Sequence, residues 1–450
     1  MARVELSPFL GLDEYTFPTL MQEGYSPKAI NVDMDGGILK STKGYVKNAS
    51  RESCDVLIPY YGGNETEDHF VCLKDGNLLR VNPDETLELL QSGYQQQGDR
   101  IDWINYQQNE TNILILCNGR TKPILYDGKK ASTLSASAPL CNLVQLHHER
   151  VFMSEDRDNP DRVYYSASFA PDGWSTAEQS GFIDIPTWNG GRIRGIKSLF
   201  GDLVVFKDYD IFRIYGTYPG EFGVDPIHSS VGCVSANTIA STSEACYFIS
   251  QNGLCVYNGV AAKPITNKRL EAVFRQVDFA RMQECCCHIY NQRLYMYLPI
   301  ESGMVIEYDL QTGMVLKKQG MHVKQFFEEE GRLHFLDVKG NSCLYGSGHS
   351  FDERMIDAIW RSKTYDLRDK SVVKAMESAY MLGCGEGELK ITMNCDGNLF
   401  EKRIELSPDM RYYRIPLAGR GRQFYIQIEN VNGSSFELDA PSLMMDLEVD

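Results

Sequence analysis

Basic character is what this chain most lacks. Its 450 residues carry 45 Lys and Arg against 61 Asp and Glu, a formal net charge of −16. No extended Lys/Arg run occurs, and the local exception, Arg420-Gly-Arg422, is small. Long-range attraction to nucleic acid or to an anionic membrane is therefore disfavoured. No apolar stretch approaches the ~20 residues needed to cross a bilayer. The N-terminus, Met1-Ala-Arg-Val-Glu5, lacks the apolar segment of a signal peptide. Disulfide spacing is missing too: 13 cysteines form no framework, and three are adjacent at Cys285, Cys286 and Cys287. An odd, scattered set argues for free thiols and a reducing cytoplasm. The Asn-x-Ser/Thr sequences at Asn48, Asn64, Asn109 and Asn432 then read as chance matches. Tryptophan is scarce, 4 residues against 25 Tyr and 20 Phe, a balance that suits pleated, half-buried strands.

Motifs that carry chemistry are also absent. Cys285-Cys-Cys-His288 invites a metal reading, but adjacent strand residues point to opposite faces and structural zinc needs spaced Cys-x-x-Cys pairs. Gly383-Cys-Gly-Glu-Gly387 has the glycines of a phosphate loop without its Lys-Ser/Thr or a following helix, so it reads as a turn between strands. His147-His148 precedes a strand and reads as a turn or core feature. Asp102-Trp103 does not recur, and Gly190-Gly191 does not repeat from blade to blade as the Gly-Gly of kelch propellers does. No nucleophile elbow and no singled-out carboxylate pair occurs. The expectation is a non-enzyme with no catalytic, cofactor-binding or metal-ligating residues and no cofactor.

What is present is a repeat. Leu203-Val-Val-Phe-Lys-Asp-Tyr-Asp-Ile-Phe-Arg-Ile-Tyr-Gly216 and Cys246-Tyr-Phe-Ile-Ser-Gln-Asn-Gly-Leu-Cys-Val-Tyr-Asn-Gly259 are two copies of one pattern. A short apolar strand, a polar turn and a second strand ending in Tyr precede a Gly. Related hairpins fall at His69–Val81, Asn112–Gly128, Val151–Ser166, Leu294–Asp309 and Leu333–Tyr345. Strand units at intervals of roughly 40–50 residues signal a β-propeller. Six to seven blades are expected over 51–355. Residues 1–50 form a leading segment whose Ile30–Lys40 hairpin, turning at Asp35-Gly-Gly37, is expected to close the ring. Asn267–Val277 carries Leu270, Val273, Phe274 and Val277 at helical spacing and reads as a short packing helix between blades.

The rhythm stops near Ser350. Residues 356–450 read as a separate antiparallel unit. Its strands are expected at Ala375–Leu382, Glu388–Asn394, Leu399–Leu406, Tyr412–Pro416, Gln423–Glu429 and Ser435–Leu438, with a last one after Pro441. This is a small β-sandwich, jelly-roll-like. The fold class is thus all-β, a propeller followed by a sandwich. Tyr412, Tyr413 and Phe424 alternate with polar residues and read as strand core rather than as an exposed platform.

Several stretches together resemble the β-propeller tail and connector proteins of tailed bacteriophages, the family of packaged-DNA stabilisation proteins and tail hubs or nozzles. The opening Gly11-Leu-Asp-Glu-Tyr-Thr-Phe-Pro-Thr-Leu-Met-Gln-Glu-Gly24, then Ala29-Ile-Asn-Val-Asp-Met-Asp-Gly-Gly-Ile-Leu-Lys40 and Gly44-Tyr45, is similar to theirs. So are Asn159-Pro-Asp-Arg-Val-Tyr-Tyr-Ser166 with Pro171-Asp-Gly-Trp174, Ile193–Gly216, Gly232–Ile239 and Ile415–Phe424. The resemblance covers most of the chain and implies a structural virion protein assembled in the host bacterial cytoplasm. It implies a homo-oligomeric ring of six or twelve copies between a portal or adaptor protein and other tail proteins or fibres. Viral DNA would pass without sequence-specific binding, and an acidic conduit wall would repel its phosphates. The alternatives are a receptor- or glycan-binding tail protein and a polysaccharide-degrading propeller enzyme.

Overall fold

The computed structural model describes the chain except residues 1, 7, 64–66, 97–99, 109–110, 187–188, 228–230, 252, 266–267, 368, 440–441 and 449–450. Asn64 and Asn109, and the first residue of the expected helix, Asn267, lie outside the described residues.

Period-two alternation builds the first unit. In Asp202–Lys207, Leu203 and Val205 enter one hydrophobic cluster while Val204 and Phe206 enter the next. In Thr111–Cys117, Leu114 and Leu116 face one cluster while Ile113, Ile115 and Cys117 face another. A sheet apolar on both faces must be covered on both, and identical neighbours do this by stacking around an axis. Each large apolar side chain so buried contributes about 1.5–3 kcal/mol.

Seven four-stranded antiparallel blades result. Blade 1 is Val56–Tyr60, His69–Lys74, Asn77–Val81 and Leu87–Gln91. Blade 2 is Asp102–Gln108, Thr111–Cys117, Ile124–Tyr126 and Ala131–Thr133. Blade 3 is Cys141–His147, Arg150–Asp156, Arg162–Tyr165 and Gly181–Asp184. Blade 4 is Ile193–Leu199, Asp202–Lys207, Ile211–Tyr215 and Gly223–Ile227. Blade 5 is Ala240–Ser241, Cys246–Ser250, Gly253–Tyr257 and Ala262–Pro264. Blade 6 is Cys286–Tyr290, Arg293–Leu298, Met304–Asp309 and Val315–Gln319. Blade 7 is Val323–Glu329, Arg332–Asp337, Ser342–Tyr345 and, from the start of the chain, Tyr45–Lys47.

The hairpins read from the sequence are the middle strand pairs of these blades. Their recurrent tail has a physical cause. After the third strand, Asp127 Oδ1 accepts the backbone N–H of Lys129 and Lys130 at 2.9 and 2.8 Å. Asp309 does the same for Gln311 and Thr312, and Asn258 for Val260 and Ala261. Such side-chain turns set the reversal into the fourth strand.

Ring closure differs from the expectation. Tyr45–Lys47 closes blade 7, with Tyr45 opposite Tyr345 and Lys47 opposite Cys343. The Ile30–Lys40 stretch instead joins the C-terminal unit. Lys28–Ile30 pairs with Ile359–Arg361, and the hairpin of Val32–Asp33 and Leu39–Ser41 pairs with Ser435–Leu438. The Asp-Gly-Gly reversal forms, with Gly36 at φ 68° and Gly37 at φ 78°, but its free edge is taken by the sandwich. A second tie spans the closure. Arg51 bridges Glu85, in the last turn of blade 1, and Glu329, ending the inner strand of blade 7.

The C-terminal unit is organised by one long strand, Val373–Cys395. Its first half pairs with Arg411–Gly421 on one side and with Ser442–Glu448 and Ser435–Leu438 on the other. Its second half pairs with Asn398–Leu406 and Phe424–Asn430. Two sheets share it. The turn expected at Gly383–Gly387 is therefore replaced by continuous strand. The glycines serve close approach: a Cβ on Gly383 would lie 2.4 Å from Leu438 Cδ2, and one on Gly385 would lie 2.2 Å from the Ser435 carbonyl oxygen.

The leading segment joins the two units. Asn31, buried at φ 54°, donates its backbone N–H to Lys317 O at 2.8 Å, on the outer strand of blade 6. Its side chain accepts from Gln319 N at 2.7 Å and donates to Asp357 O, before the sandwich, at 2.8 Å. Lys318, fully buried, donates to Val32 O at 3.0 Å and pairs with Asp33. The expected helix is a single turn, Glu271–Phe274, because Asp278 caps a 3-10 helix that starts at Phe279. Leu270, Val273, Phe274 and Val277 are buried in the core beside blades 5 and 6, the packing role read from their spacing.

Candidate functional site

A propeller gathers its inner strands around its axis, and a cavity lies there. It has a volume of about 1080 Å³. Its walls come from inner strands and the loops leading into them: Asp55 and Val56, Arg100 to Trp103, Lys197, Cys286 to His288, and Lys324 to Phe326. Charges of both signs line it, and several are paired to neighbours. Lys324 pairs with Asp55 at 3.0 Å, Arg100 with Glu155 at 3.5 Å, and His288 Nε2 lies 3.1 Å from Glu328 Oε1. Asp102 accepts from Val144 N at 3.0 Å and Trp103 N at 3.1 Å, tying blade 2 to blade 3. Burial pushes its carboxyl above the ordinary carboxylate range, with Arg100 opposing. This wall is of mixed charge. It suits a small polar ligand or ordered water, and it is not a uniformly acidic tube.

Pattern reading had no means of naming these groups. They arrive as short stretches from separate blades, and the one shared signal is their place on, or just ahead of, an inner strand.

The motifs weighed in the sequence fall elsewhere. Cys285 packs in the large cluster beside blade 6 while Cys286 packs in the cluster between blades 6 and 7, the opposite faces that adjacency requires. Burial pushes the Cys285 thiol up to about 12. Among the described residues no group of three or more His, Cys, Asp and Glu is arranged to hold a metal ion. His147 is buried with Nδ1 2.8 Å from Ser198 Oγ, and burial lowers its pKa to about 4. His148 Nε2 lies 3.1 Å from Gly201 O, in blade 4's first turn. Gly191 takes φ 88° in a turn against Asp208.

One of the three sandwich aromatics departs from the expectation. Phe424 is buried and stacks on Tyr365 at 5.4 Å, and the Tyr413 hydroxyl accepts from Ser407 N at 2.7 Å. Tyr412 is 84% exposed. On Arg411–Gly421 the inward positions are the odd ones, Ile415 and Leu417 among them, so Tyr412 falls on the outer face.

No family model matches the chain, and no curated protein matches it. Solved structures do. BamB from Moraxella catarrhalis aligns with 8% identity over 68% of this chain and 99% of its own, at a TM-score of 0.39. The extracellular domain of BT4673 from B. thetaiotaomicron aligns with 9% identity over 88% of this chain and 61% of its own, at 0.44. The dihydro-heme d1 dehydrogenase NirN aligns with 10% identity over 87% and 81%, at 0.39. These are likenesses of fold alone, and fold does not carry function.

Proposed function

We propose that this chain is a structural virion protein of a tailed bacteriophage, a ring-forming tail hub, nozzle or DNA-stabilising plug on the far side of the portal. The observation that carries the reading is the opening stretch Gly11–Tyr45, whose residues bear the resemblance. That stretch also has a mechanical role. It braces blade 6 through Asn31 and Lys318, adds strands to the sandwich and leads into the strand that closes blade 7. A rigid closed ring with a braced second domain suits a part that must bear load without changing shape. In a ring of copies each subunit would present two different complementary surfaces.

The test is quantitative mass spectrometry of density-purified, DNA-filled particles, normalised to portal protein. A fixed stoichiometry equal to portal or half of it is expected, and absence from particles overturns the reading. A second reading, a glycan- or receptor-binding tail protein, is favoured by Tyr412 with Met410, 47% exposed, beside it. A glycan array probed with the native chain and with Tyr412→Ala separates the two, since a conduit part gives no Tyr412-dependent signal.

A further inference from the structure

Beside the axial cavity, on the same face, a second cleft of about 860 Å³ opens between blades 2 and 3. In a chain of net charge −16, four arginines line it: Arg100, Arg120, Arg157 and Arg192. We propose that this cleft binds a phosphoryl group.

The arginines come from four different loops, and three of those loops are held by buried or bonded turn residues. Asn118, buried, accepts from Arg120 N at 3.0 Å and Thr121 N at 2.9 Å while donating to Tyr94 O at 2.6 Å. Asp156 accepts from Asp158 N and Asn159 Nδ2 at 3.0 Å and from the Tyr164 hydroxyl at 2.6 Å, which fixes the loop bearing Arg157. Asp208 accepts from Arg192 N at 2.8 Å and Arg194 Nε at 2.6 Å. The loop backbones are thus held, so the arginines project from a fixed frame, with the Arg120 guanidinium donating to Gln96 and the exposed Arg157 and Arg192 side chains left for a ligand to order.

Charge favours an anion. The cleft's carboxylates are Glu155, Asp156 and Asp158. Asp156 is committed to the three donors above. Glu155 pairs with Arg100 at 3.5 Å, and burial pushes its carboxyl above the ordinary carboxylate range with Arg100 opposing. Glu155 also holds φ 62°, a left-handed backbone costly for a non-glycine residue and common at ligand sites. The protein's distant negative charge is screened beyond about 8–10 Å at physiological salt. Several planar guanidinium groups around one volume match an oxyanion with several oxygens better than a single carboxylate.

The phosphoryl group can come from free phosphate or from the backbone of a single nucleic-acid strand. The test titrates the full chain with inorganic phosphate by calorimetry and with a fluorescein-labelled thymidine 12-mer by anisotropy, at low and physiological salt. Arg157→Gln/Arg192→Gln is the variant, since both residues are exposed, and the thermal melt checks that the fold is kept. Saturable binding of either probe, weakened at least about tenfold in the double variant with an unchanged thermal melt, supports the site. Phosphate binding without the 12-mer assigns a free ligand. Tighter, salt-dependent 12-mer binding assigns a strand. Neither probe binding below about 1 mM overturns the proposal, as does equal binding by the double variant. The proposal stands apart from the virion reading, whose test is particle stoichiometry.

Discussion

Replacing Arg51 by Met tests how the propeller is held shut. The Arg51 side chain is 4% exposed. Its Nε and Nη2 donate to Glu85 at 2.6 and 2.9 Å, and its Nη2 and Nη1 donate to Glu329 at 2.6 and 3.2 Å. The guanidinium also lies 5.3 Å from the Phe70 ring centroid. Methionine keeps the apolar contact with Phe70 but leaves two carboxylates facing each other across the closure. Removing one partner of a fully buried ion pair costs about 3–5 kcal/mol. Glu85 and Glu329 are 24% and 19% exposed, so partial solvation reduces the expected loss to about 2–4 kcal/mol. For a unit of about 300 residues, with an unfolding entropy near 2.1 cal/mol/K per residue, this lowers Tm by about 3–6 °C. Urea titration followed by fluorescence, together with calorimetry, reads both quantities. The triple variant Arg51→Met/Glu85→Gln/Glu329→Gln should recover at least half of the loss, because the orphaned charges are gone. A single-variant loss under about 1 kcal/mol, or a triple variant no more stable than the single one, refutes the closure role.

Three further outcomes are expected. Asn31→Ala removes two side-chain hydrogen bonds between propeller, leading segment and sandwich and leaves Ala at φ 54°, so unfolding free energy should fall by about 2–4 kcal/mol; an unchanged urea midpoint would show that the joint does not depend on it. His147 titrates near 4 in the folded chain against 6.5 when exposed, so its neutral form is favoured by folding: its contribution is intact above pH 6.5, is lost as pH falls towards 4 and reaches at most about 3 kcal/mol. His147→Asn should flatten the stability profile in that window relative to the native chain, and parallel profiles would exclude the assignment. Gly385→Ala drives a Cβ onto the Ser435 carbonyl and should cost about 2–4 kcal/mol; a native melting curve would mean that the shared strand shifts freely.

The blade hairpins were readable because each is local. Two strands, a polar turn and a Tyr-Asp or Tyr-Asn tail lie within a dozen residues or so, and period-two apolarity is strong when both faces are buried, as in Leu203–Phe206. Pairings that reach across the chain were not readable. Tyr45–Lys47 is three residues with no pattern of its own, and its partner stands near Tyr345. The glycines at 383–387 signal backbone freedom, which a turn and a crowded strand use alike; the deciding contact with Leu438 is not local. Tyr412 was misplaced because one residue of phase inverts a strand's faces. The arginine cleft and the axial cavity draw single residues from separate blades, so no spacing marks them.

The leading segment has a consequence for biosynthesis. Ala2–Glu5 pairs with Ser442–Glu448, and Tyr45–Lys47 waits for Ser342–Tyr345. At about 5–20 residues per second, the ribosome needs roughly 15–60 s to deliver the closing partner of blade 7. The sandwich partner comes later still. Nascent chains therefore carry an open ring edge through most of translation: one released before Ser342 leaves blade 7 open, and one released after Tyr345 can close the propeller but lacks the sandwich strands. Closure of each unit thus depends on strands separated by most of the sequence, not on neighbours that emerge together.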